Sequence, residues 1–336
     1  MKPSTRTGVV VALLALALPL AAVAPAAAPA HAAADCSFTY SGRVPLTDLG
    51  TGTYQGKQGG LYPGGSNTRP GGHDAAGVHL ATTVVKPRNP AGAVDTTNGK
   101  IVMISIGMSN TTQEFQRFIQ LANADPARNP KLVIVDGAQG SQDAAAWADP
   151  AGAPWTVLAQ RLSAAGVSAA QVQTVWLKEQ MAGDNLGTFP GGAQNLRDAL
   201  ASIVRNARTK YPNLRIAHLS SRAYTYDPTR SQGAYEQAFA VKWLIEDQIN
   251  GAPSLAYSGP GAVAPWLAWA PYLWADGLGP DRAPGGIPGR SDGLEWTCSN
   301  FENDGVHPSS SGEQKVASML LPFYKSDTTA TPWFRR

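Results

Sequence analysis

Residues 101–110 read Ile101-Val102-Met103-Ile104-Ser105-Ile106-Gly107-Met108-Ser109-Asn110. The run Ile101–Ile106, rich in Ile and Val and stopped by a glycine, has the length and branching of a strand buried on both faces. A helical pattern follows at about 112–124. The same change of pattern recurs down the chain. Lys131–Val135, Val172–Leu177 and Arg215–Leu219 are further short apolar runs, and helical patterns follow near 154–165, 193–210, 234–250 and 311–324. Over 193–210, Leu196, Leu200, Ile203 and Val204 form one stripe, with Arg197, Arg205 and Arg208 outside it. Strands alternating with helices predict an α/β fold, a three-layer sandwich with a central parallel sheet. Ligands of such sheets bind at the carboxyl ends of the strands. Chemistry is therefore sought just after each strand.

Residues 35–99 are crowded with Gly, Pro, Thr and Asn, as in Gly59-Gly60-Leu61-Tyr62-Pro63-Gly64-Gly65. They predict a loop-rich N-terminal extension packed on a domain spanning 100–336. Ahead of it, Lys2 and Arg6 precede the apolar run Val9–Ala24, and the small residues Ala30-His31-Ala32 and Ala32-Ala33-Ala34 follow. That order predicts a signal peptide over 1–34, cleaved near Ala32 or Ala34, and a secreted, extracellular protein. Asp35 stands before Cys36 where a lipidated cysteine needs a small residue. In an exported chain the only two cysteines, Cys36 and Cys298, are expected to pair.

The 336 residues carry 27 Lys+Arg against 24 Asp+Glu. Without Lys2 and Arg6 the balance is 25 to 24. So even a balance points away from nucleic acid and from stable membrane association. With 43% hydrophobic and 15% charged residues the chain is core-forming, not a charge-dominated disordered one. A monomer is expected. His73 and His79 are six apart, and no H-E-x-x-H, Cys/His cluster, P-loop or dinucleotide fingerprint is present, so neither metal nor cofactor is expected.

Three strand-end and loop segments carry candidate chemistry. Ser109, between a strand and a helix, has its hydroxyl at the sheet edge beside a helix N-terminus that stabilises negative charge; a simple capping serine has the same sequence. After Lys131–Val135 comes Asp136-Gly137-Ala138-Gln139-Gly140-Ser141, where glycine lets backbone approach a ligand. Near the C-terminus, Ser310 and Glu313 have capping-box spacing and predict a helix starting near Ser311. Asp304 and His307 fall in the loop before it, at an offset that lets a carboxylate hold an imidazole tautomer.

Together these segments resemble the SGNH (GDSL-like) hydrolase superfamily over roughly residues 100–325. The resemblance is carried by Asp304-Gly305-Val306-His307-Pro308 and Gly107-Met108-Ser109-Asn110. It implies Ser109 as nucleophile, Asp304 and His307 as its partners, and the N–H groups of Ser109 and Gly140 as oxyanion-hole donors. Met108 replaces the usual Asp and gives the Gly-x-Ser-Asn form seen among some carbohydrate esterases. The third oxyanion donor is either Gln180, just past Val172–Leu177, or Asn185 in Gly183-Asp184-Asn185.

The implied activity is a secreted serine esterase acting on O-acyl groups, acetyl or short-chain, of a small-molecule or polysaccharide ester. A lipid esterase of the same superfamily and a non-catalytic glycan-binding protein are the alternatives. Asn67, Arg69 and Trp274 are candidate substrate contacts, and the cluster Trp266, Trp269, Tyr272 and Trp274 reads either as a sugar platform or as core. Gly289-Arg290-Ser291-Asp292-Gly293 matches a different hydrolase motif but lacks the strand and helix that motif needs. Gly65-Ser66-Asn67 imitates Gly-x-Ser-Asn inside a Gly/Pro loop.

Overall fold

A computed structural model describes residues 33–39, 41–181, 187–275 and 290–336, with Met1 and Pro3. The 1–34 leader reading falls almost wholly outside these residues. The chain from Ala32 to Arg336 forms one compact unit. Five parallel strands make the central sheet: β1 (Ile101–Gly107), β2 (Leu132–Val135), β3 (Val172–Lys178), β4 (Ile216–Leu219) and β5 (Trp266–Trp269), in the order β2-β1-β3-β4-β5. Helices α1 (Ser109–Ala124), α2 (Ala153–Ala164), α3 (Gly191–Lys210), α4 (Ser231–Ile249) and α5 (Ser310–Ser326) cover both faces. α1 packs on α5, and α3 packs on α4.

Every residue of β1 and β3 is buried, which explains why apolar residues stand at successive positions rather than alternating with solvated ones; the polar exceptions Ser105, Gln173, Thr174 and Lys178 are buried too. The edge strand β2 is only half-buried in its middle. β1 and β3 are in register with Gly107 opposite Lys178, so Ser109 and Gln180 both lie two residues past the same level of the sheet.

The structure corrects the sequence reading in two places. β5 was not foreseen as a strand: its four residues are half tryptophan, and aromatic crowding hides their pairing with β4. The extension is also not wholly irregular, since Gly71–His79 is a helix. That helix covers the open edge of the sheet, with the Trp266 indole N–H donating to His73 O at 3.0 Å and the His73 ring bonded to Leu267 O at 2.7 Å. Tyr62 and Gln248 side chains accept from the N–H groups of Trp269 and Leu267, so the outward N–H groups of this edge strand are met. α4 is buried nearly all round because the extension also lies over it, with Tyr235 donating to Val44 O and Tyr54 to Glu236.

Cys36 and Cys298 are joined in a disulfide, with their Cα atoms 5.4 Å apart. Among the described residues no helix is long and apolar enough to cross a membrane.

Candidate active site

α1 begins at Ser109 with Met108 as its N-cap, and the Met108 side chain caps nothing. A helix start without a side-chain cap leaves its first N–H groups unpaired. Accordingly, the Ser109 N–H donates to no protein group among the described residues. The Ser109 hydroxyl is bonded to His307 Nε2 at 2.8 Å, and His307 Nδ1 bonds Asp304 Oδ2 at 2.5 Å. The structure thus brings Ser109, His307 and Asp304 together, across 198 positions of sequence.

The loop that carries Asp304 and His307 is closed on itself. Asp304 Oδ1 accepts from the N–H groups of Val306 and His307, both at 2.9 Å. Glu302 N–H donates to His307 O, and Ser309, one residue earlier than the predicted cap region, caps α5. Burial alone would push the Asp304 carboxyl up. The His307 ring and the two backbone N–H groups outweigh it and hold the carboxyl at about 2. Asp304 is therefore ionised near neutrality and fixes Nδ1 as the protonated nitrogen, which leaves Nε2 to accept the Ser109 proton.

The loop after β2 is knitted by Ser105, whose hydroxyl donates to Asp136 at 2.6 Å and accepts from Gly137 N–H at 3.0 Å. Gln139 N–H donates to Gly107 O at 2.9 Å, which holds this loop beside the end of β1. Gly140 follows, exposed, with an N–H that donates to no protein group among the described residues. A Cβ on Gly140 would stand 3.9 Å from that of Ser109, in ordinary van der Waals contact, so this loop lies directly beside Ser109.

Gln180 lies at the end of β3. Its Oε1 accepts from Gln237 Nε2 at 2.6 Å, its N–H donates to Glu179, and its carbonyl accepts from Ala144 N–H. The Gln180 Nε2 group has no partner among the described residues. Gln237 comes from α4 and had no signal in the sequence, because its partner is 57 residues away. Asn185, the other candidate for this position, lies outside the described residues.

α1 and the end of β3 also carry a set of buried ionisable groups that the sequence reading missed. Lys178 and Glu114 form an ion pair with each side chain 2% exposed. Burial pushes the Lys178 ammonium down to about 8 although Glu114 opposes the shift, and burial pushes the Glu179 carboxyl well up. Arg222 Nη1 donates to Asn110 Oδ1 at 3.0 Å, and Asn110 Nδ2 donates to Val306 O at 2.7 Å.

The proposed substrate contacts are not brought to this centre. Trp274 is fully buried, 4.8 Å from the ring of Tyr235, and Trp266, Trp269 and Tyr272 are buried with it, so the aromatic cluster is core. Arg69 is held between Asp74 at 2.8 Å and Asp327 at 2.9 Å. Asp327 follows the far end of the 17-residue α5, roughly 25 Å from the His307 loop. Asn67 donates to Thr47 O in the same region. Both line a cleft of about 440 Å³ with Tyr62 and Trp269. Ser291 bonds Asp48 through its hydroxyl at 2.9 Å. Among the described residues no group of His, Cys, Asp and Glu could hold a metal.

No protein-family model and no curated protein matches the chain. Solved structures do resemble it. A carbohydrate esterase family 3 protein from Talaromyces cellulolyticus is 14% identical over 66% of this chain and 95% of that one, with a TM-score of 0.39. The C-terminal catalytic domain of Streptococcus pneumoniae peptidoglycan O-acetyltransferase A is 14% identical over 68% and 94%, with a TM-score of 0.33. An acylhydrolase of Bacteroides fragilis, so described as a putative one, is 13% identical over 78% and 100%, at 0.35.

Proposed function

We propose that the protein is a serine esterase of the SGNH type that acts outside the cytoplasm on short O-acyl esters, those of carbohydrates foremost. The observation that carries this reading is the Ser109–His307–Asp304 relay at 2.8 and 2.5 Å. Ser109 Oγ attacks the ester carbonyl carbon as His307 Nε2 takes its proton. The carbonyl oxygen becomes an oxyanion, met by the N–H groups of Ser109 and Gly140 and by Gln180 Nε2. His307 then protonates the departing alcohol oxygen, which leaves an acyl group on Ser109. Water, deprotonated by His307, attacks that acyl carbon and releases the carboxylic acid and free Ser109.

The Cys36–Cys298 disulfide supports an oxidising compartment.

The test is hydrolysis of aryl esters of increasing chain length and release of acetate from acetylated polysaccharides. Ser109→Ala should lower kcat by about 10³-fold or more, and a fluorophosphonate should label Ser109 in the wild type alone. A wild type inert to every ester and to the fluorophosphonate would refute the reading, as would a folded Ser109→Ala variant with full rate.

A further inference from the structure

Asn110 sits next to Ser109 in the first turn of α1, 6% exposed, and its amide is used at both ends. Arg222, itself 8% exposed, reaches it from just beyond β4 and donates through Nη1 to Oδ1 at 3.0 Å. A guanidinium has donors only. It therefore fixes which way the amide faces: oxygen toward Arg222, amino group toward Val306 O, 2.7 Å away. Val306 O belongs to the peptide that joins Val306 to His307. The Asn110 side chain thus ties the first turn of the nucleophile's helix to the backbone at the imidazole, 196 residues further along.

Resting on the esterase reading, we infer that Asn110 is a positioning residue that sets the distance and angle between Ser109 and His307. The Ser109–His307 contact alone cannot do this. It must form and break in each turnover, as the proton moves to Nε2 and on to the leaving group. The Asn110–Val306 bond takes no part in proton transfer and persists throughout. Asp304 fixes the ring within its own loop, whereas Asn110 fixes that loop relative to α1. The division matters because a shift of about 1 Å between reacting groups costs on the order of 10²-fold in rate.

The sharpest variant is Asn110→Asp. It has the same shape and keeps an acceptor for Arg222, but it turns a carboxylate oxygen toward Val306 O where a donor stood. Asn110→Ala, which removes both bonds, is the second variant should the first not fold. Each is measured for kcat and KM on a short-chain aryl ester, for unfolding by circular dichroism, and by proton NMR for the far-downfield His307 Nδ1 proton shared with Asp304.

The expected result is kcat lower by about 10²-fold, KM within twofold, and a downfield signal that is broadened or lost while the fold is retained. Ser109→Ala should keep that signal. A folded Asn110→Asp or Asn110→Ala variant with kcat within threefold of wild type and an unchanged signal overturns the inference. Should the wild type hydrolyse no ester, the esterase reading fails, and the NMR arm still decides whether Asn110 positions His307.

Discussion

Replacing Gly305 by alanine tests whether the shape of the Asp304–His307 loop is what makes the site. Gly305 has φ +66°, a left-handed conformation that costs an L-residue about 1–2 kcal/mol. A Cβ there would also lie 2.8 Å from the carbonyl carbon of Tyr226 and 3.0 Å from the Asp227 nitrogen, both backbone atoms that cannot rotate away. Relief requires the loop to back off from residues 225–227. That movement stretches the two bonds Gly305 O accepts at 2.8 Å, from Tyr226 N–H and the Thr225 hydroxyl, each worth about 1 kcal/mol. The expected loss is about 3 kcal/mol of stability by urea unfolding. Because Asp304 and His307 flank the displaced residue, kcat should fall by about 10²-fold. Gly251→Ala is the control. Gly251 also has positive φ, +81°, but nothing lies within 4 Å of an added Cβ. It should lose only the conformational term, about 1 kcal/mol, and keep full kcat. A Gly305→Ala protein as stable and as active as the Gly251→Ala control would refute the reasoning.

Two further outcomes follow from the buried ion pair and the disulfide. Lys178→Met should destabilise by about 3–5 kcal/mol because it strands the Glu114 carboxylate without its partner, whereas the double variant Glu114→Leu with Lys178→Met should recover most of that loss; equal stability of the single and double variants in urea would contradict the pairing. Cys36→Ser with Cys298→Ser opens a loop of 262 residues, for which chain entropy gives on the order of 5 kcal/mol as an upper figure. It should also lower kcat, since Asp35 N–H, beside Cys36, donates to Tyr226 O and Tyr226 N–H donates to Gly305 O, next to Asp304; a variant that loses stability but no rate would show that the tether does not reach the site.

What could be read from the sequence follows from how local each signal is. β1 and β3 are legible because both their faces are buried, so seven successive positions carry the same constraint. The Asp304–His307 offset is legible because one short turn contains both residues. The helix Gly71–His79 was not, since Gly71, Gly72 and Gly77 are poor helix formers. Tertiary contact selects the helix: a Cβ at Gly77 would fall 2.4 Å from the ring of Trp266. β5 was obscured for the related reason that its tryptophans serve the core and the strand at once.

Glu114 is the most instructive omission. It lies among Thr, Gln and Arg in a polar-looking part of α1 and reads as solvated, yet it is 2% exposed, because Lys178 at the end of β3 meets it across 64 residues. Buried pairs of this kind add little net stability over apolar packing, so stability alone does not account for Glu114, Lys178, Glu179 and Arg222 lying together. What they touch does. Glu114 belongs to α1, and Lys178, whose carbonyl also accepts from Thr111, belongs to β3; Glu179 bonds the Gln180 N–H, and Arg222 orients Asn110. These bonds join the first turns of α1, the end of β3 and, through Asn110, the His307 loop. A wholly apolar filling would pack the same space without fixing the direction of an amide or a backbone N–H.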